Sequence, residues 1–100
     1  MANLFTDDTG LPFAVWISPK GRARQDIRVE VAPNNKARRS EMASVAIRPT
    51  IEVVAGHVST EHMVLLRQWI ALNKDIIIQY WDGIIDSNIK LAAAIKPIKP

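Results

Sequence analysis

The chain has 100 residues, 48% of them hydrophobic and 23% charged, with four Gly, six Pro and no Cys. That length fits one ordinary domain, and the balance excludes a disordered tail, a collagen-like repeat and a low-complexity segment. The missing cysteines remove disulfides, thiol catalysis and thiolate metal sites, and a formal net charge of +3 is modest for a dedicated nucleic-acid binder.

Residues 1–10 read as a polar lead-in ending in Asp7-Asp8-Thr9-Gly10. The first strand is expected from about Pro12 to Ser18, where Phe13, Val15 and Ile17 alternate with Ala14, Trp16 and Ser18. Both of its faces are apolar, which places it inside a sheet or covers it on two sides. The second strand alternates Ile27, Val29 and Val31 with Asp26, Arg28 and Glu30, one face to a core and the other to water. Pro33-Asn34-Asn35 is a turn, because Pro presets one dihedral and Asn tolerates positive φ. Over 43–55, Val45, Ile47, Ile51 and Val53 share a face, and Pro49 either divides two short strands or kinks one.

From Ser59 the period changes to three and four. Ser59 or Thr60 caps a helix with Glu61 in its first turn and Met63, Leu66, Trp69 and Ile70 along one side. Asn73 reads as a break that caps a second helix, about Lys74 to Asp82, carrying Ile76, Ile77, Tyr80 and Trp81 and ending at Gly83. Asp86 or Ser87 caps a third helix, Asn88 to Ile95, expected to bury Ile89, Leu91, Ala92 and Ile95 before Pro97 and Pro100 stop it.

Strands followed by helices predict a single α+β domain over residues 1–100, with frayed ends at about 1–10 and 96–100. An antiparallel sheet of three to four strands within residues 12–55 is covered on one face by two to three helices within residues 60–95. The covered face carries Ile27, Val29, Val31, Val45, Ile47, Ile51 and Val53, met by Trp69 and Trp81. No apolar run approaches the about 20 residues of a membrane-spanning helix, and Asp7-Asp8 stands where a secretory leader would be apolar. The expected setting is the cytoplasm.

Charge is unevenly spread. Between Lys20 and Arg48 lie eight basic residues against Asp26, Glu30 and Glu41, so eight minus three gives +5. Arg22, Arg24, Arg28, Lys36, Arg38, Arg39 and Arg48 are the candidate binding residues, a solvated loop surface on one reading and a patch for phosphates or an acidic partner on the other. The clusters lack interleaved aromatics, so the nucleic-acid mode they suit is non-specific Arg contact with phosphate rather than base stacking. Among other chemistries, His57 and His62 supply too few ligands for zinc even with Glu61, so no metal is expected. None of Ser18, Ser40, Ser44, Ser59 or Ser87 lies in a Gly-x-Ser-x-Gly elbow, and Gly10, Gly21, Gly56 and Gly83 are too scattered for a phosphate loop, so no cofactor is implied either. Asp7-Asp8 and Asp82 with Asp86 read as solubility and capping features. A metal-free ribonuclease would need a base and cations around one phosphate, and Arg22, Arg24, Arg28, Glu30, His57, His62 and Tyr80 are of the right types.

The stretch Leu66-Arg67-Gln68-Trp69-Ile70-Ala71-Leu72-Asn73-Lys74-Asp75, then Ile77 or Ile78 and Trp81, resembles the helical half of a family of small bacterial proteins, the DUF4160 domain of unknown function. The resemblance implies short strands first, then a Trp-bearing helix, a polar break at Asn73 and a second helix ending in Trp. The family's Pro-Pro-His-x-His-like stretch has no counterpart in Arg22–Arg28, which lacks histidine. It implies a small bacterial α+β protein, in some cases encoded in a toxin–antitoxin-like arrangement. The leading expectation is therefore a bacterial binding module with a basic strand-and-turn surface. The alternatives are a metal-free endoribonuclease or toxin-like enzyme, and a structural homodimer built on the apolar strand that carries Trp16.

Overall fold

The structure is a computed structural model, and it describes residues 2–21, 25–32 and 42–98. Its strands are β1 (Ala2–Leu4), β2 (Val15–Ile17), β3 (Arg28–Val31), β4 (Ala43–Ala46) and β5 (Glu52–Ala55). Its helices are the four-residue α1 (Thr6–Thr9), the long α2 (Thr60–Trp81) and α3 (Asn88–Ala94). The strands pair antiparallel in chain order, β1-β2-β3-β4-β5. The class is α+β, as the order of periods predicts, with one strand more than expected.

The extra strand comes from the supposed lead-in. Ala2 and Leu4 are fully buried and pair with Ile17 and Val15. A three-residue alternation is too short to mark a strand. α1 follows, closed by the Phe5 N–H donating to Asp8 Oδ2 at 3.1 Å and by Gly10 in the left-handed conformation. Residues 96–98 are tied back to α1, the Ile98 N–H donating to the Thr9 carbonyl at 2.9 Å; residues 99 and 100 lie outside the described residues.

Alternation assigns the two sheet faces. Leu4, Val15, Ile17, Val29, Val31, Val45 and Ile47 point inward and join Leu66, Trp69, Ile70, Ile77, Trp81 and Leu91 in one core. Trp69 is 0% exposed and Trp81 5%, so the roof of the sheet is the one expected. β5 departs from expectation. It is an edge strand like β1, but Val53 is 36% exposed, and only Ile51, just before it, packs against the core. On the opposite face Ala14, Trp16 and Ala32 form a small cluster with Met42 against it. Trp16 is thereby 4% exposed within a single chain, so the β2 part of this face offers little apolar surface, while Arg28, Glu30, Ser44 and Ala46 on β3 and β4 stay half-exposed.

Asn73 does not make the break that its residue type predicts. α2 is one helix of 22 residues and runs straight through it. Asn73 sits on the buried stripe between Ile70 and Ile77 and is 0% exposed. Its Nδ2 donates to the Trp69 carbonyl at 3.0 Å and to the Lys96 carbonyl at 2.9 Å, and its Oδ1 accepts from the Lys96 N–H at 2.7 Å. The residue satisfies backbone outside its own helix, so it latches the tail instead of ending α2. The real ends are the ones expected. Ser59 Oγ accepts from the His62 N–H at 3.2 Å, and Gly83 (φ +82) lets the Ile84 N–H reach the Gln79 carbonyl and its own N–H reach that of Tyr80.

α3 begins at Ser87, whose Oγ accepts from the Lys90 N–H at 3.1 Å. Leu91 and Ile95 are its buried contacts, but Ala92 is exposed and Ile89 is 85% exposed, because a two-turn helix lying across β1 and α2 turns only a narrow side inward. Among the described residues no helix is long and apolar enough to cross a membrane.

Candidate functional site

Of the seven candidate binding residues, Arg28 and Arg48 are described; Arg22, Arg24, Lys36, Arg38 and Arg39 lie outside the described residues. Arg28 stands on β3 opposite Ala46 of β4 and alternates with the buried Ile27 and Val29. It therefore projects from the face that the helices leave open, along with Glu30, Ser44 and Ala46. It is half-buried and has no ion-pair or hydrogen-bond partner among the described residues. Glu30, its neighbour on that face, accepts from the Ser44 hydroxyl at 2.5 Å.

Arg48 is already engaged. Continuing the β3–β4 register by two residues sets Asp26 across from it, and its guanidinium grips that carboxylate through Nε at 3.0 Å and Nη2 at 3.0 Å. The fork geometry suits a carboxylate, and the same contact would compete with any phosphate brought to Arg48. The Arg48 hydrogen bond, aided by the Ile27 backbone N–H, holds the Asp26 carboxyl below its ordinary value of 3.8. Its contribution to stability is then present above that value and is lost as pH falls through the lower native one. In an NMR titration the Asp26 carboxyl is expected to protonate below the normal aspartate range and to return to it in Arg48→Ala; an unchanged midpoint in that variant would dissociate the shift from the pair.

The two basic clusters attach at opposite ends of β3. The connection holding Arg22 and Arg24 enters at Arg28, and the one holding Lys36, Arg38 and Arg39 leaves after Val31 and Ala32. At that second end α2 begins, and a cavity of about 160 Å³ lies there. Phe13, Val31, Ala32 and Val58 give it apolar walls, and His57, Ser59 and His62 its polar rim. The His62 ring rests on Phe13, with centroids 4.7 Å apart and planes at 39°. Sequence reasoning found both histidines but not Phe13 beneath one of them, since only the fold brings β2's approach to the start of α2.

Among the described residues, Tyr80 and Glu30 stand apart from the His57 and His62 that share the cavity. Tyr80 lies 18 positions along α2 from His62, about 27 Å at 1.5 Å per residue. Tyr80 is buried, its hydroxyl donates to Asn88 Oδ1 at 2.7 Å, and burial pushes its pKa up. Glu30 is bound to Ser44 on the open sheet face. Among the described residues no cluster of three or more His, Asp or Glu is placed to hold a metal. A scan against protein-family models, a search of curated proteins and a search of solved structures returned no match.

Proposed function

We propose that the protein is a non-enzymatic binding module of the bacterial cytoplasm whose open sheet face and its flanking basic connections take the phosphate backbone of a nucleic acid. The observation that carries this reading is Arg28. It is a cation without a partner among the described residues, on the face opposite the helices, and on the one strand that both basic connections join. The +5 window from Lys20 to Arg48 supplies the long-range attraction. Arg48 adds less, being held by Asp26.

Binding of this kind releases counterions, so affinity falls with salt. Three phosphate contacts give roughly a 40-fold loss between about 50 and 200 mM salt. Fluorescence anisotropy with labelled single- and double-stranded oligonucleotides is expected to show that loss, and Arg28→Ala to lower the salt slope by about 1. Absence of binding at about 50 mM salt, the lower end of that range, removes the reading. An acidic protein partner would instead show as binding to a polyglutamate but not to the oligonucleotides.

A further inference from the structure

We propose that the cavity where α2 begins is a binding site for a small organic acid, an oxyanion on a compact apolar body. The inference is independent of the reading of the open sheet face. Its volume, about 160 Å³, is close to the roughly 150 Å³ of an engineered apolar cavity that takes benzene, so a single ring fits. The walls call for an apolar body, since Phe13, Val31 and Val58 offer no polar side-chain atom to a ligand.

The rim calls for a group rich in lone pairs. Neither imidazole has a hydrogen-bond partner among the described residues, and the His62 ring packs tilted against the Phe13 ring that lines the same cavity. A neutral imidazole always keeps one N–H donor, and both histidines line the same cavity as Ser59. Imidazole N–H groups and a hydroxyl are donors that suit an oxyanion, and among the described residues no third metal ligand stands with them.

The test is a titration of the full ¹⁵N-labelled chain with benzoate, and in parallel with benzyl alcohol and with inorganic phosphate. Benzoate is expected to give saturable shifts at the amides of Phe13, Val58, Ser59 and His62, with the other two at least tenfold weaker. His57→Ala, at an exposed position that leaves the core intact, and His62→Gln are each expected to weaken benzoate about tenfold, the effect of one hydrogen bond to a charged group. Arg28→Glu should leave benzoate binding unchanged, which separates this site from the open sheet face. Absence of saturable shifts overturns the proposal. Equal binding of benzyl alcohol overturns the oxyanion requirement, and equal binding of phosphate overturns the apolar one.

Discussion

Asn73→Ala is expected to destabilise the protein by about 2–4 kcal/mol and to free residues 96–98. The change deletes three hydrogen bonds at once, and it leaves the Lys96 N–H and carbonyl, both part-buried, without the partner that covered them. Unsatisfied groups of this kind cost about 1–3 kcal/mol each, less where water reaches them. With Lys96 released, the Ile98 N–H loses its anchor on Thr9, so the tail and α1 loosen together. Hydrogen exchange should therefore quicken at Lys96 and Ile98 by more than the global loss of stability accounts for. Asn73→Leu separates the two roles of the residue. It continues the apolar stripe between Ile70 and Ile77 and favours helix, so a mere break would be repaired by it. The latch account predicts a stable helix with an unprotected tail. Full protection of Lys96 and Ile98 in Asn73→Leu would contradict it.

Trp69→Ala is expected to cost about 3–5 kcal/mol, a large part of the roughly 5–15 kcal/mol that holds a domain of this size. Trp69 is the largest fully buried side chain, and α2 places it over the inward face of the sheet. Its indole Nε1–H is buried without a hydrogen-bond partner among the described residues. Trp69→Phe thus gives up ring area but no bond, and it removes an unsatisfied donor, so its cost should be about 1–2 kcal/mol. Urea denaturation of both variants checks the pair. Equal losses would show that the indole nitrogen does have a partner in solution.

Much of this architecture was legible because alternation and helical spacing are direct consequences of burying one face. Ile27, Val29 and Val31 against Arg28 and Glu30 defined a strand with an inside and an outside. Trp69 and Trp81, three turns apart, defined the roof. The misreadings arose where local preference and tertiary context disagree. Asn favours helix ends in isolation, yet Asn73 lies four residues from Trp69 and four from Ile77, and that position on the stripe was the signal of a buried polar latch. The three residues of β1 carry too little pattern to mark a strand, and only the register with β2 buries Ala2 and Leu4. Alternation alone faces Val53 inward, but it carries no information on whether the helices reach that strand, and every residue of β5 is exposed. At the site, the pairing of Asp26 with Arg48 depends on a register between strands separated by the whole 32–42 connection. The cavity at His57 and His62 depends on Phe13 arriving from β2's side of the molecule.

The face assignment and the binding role meet in one measurement, the mapping of amide shifts as a duplex oligonucleotide is added to the ¹⁵N-labelled chain at low salt. The account predicts movement at Arg28, Glu30, Ser44 and Ala46, reversed by added salt, with the amides along Leu66–Trp81 unmoved. Shifts concentrated in α2 and α3, or none at any residue of β3 and β4, would contradict it.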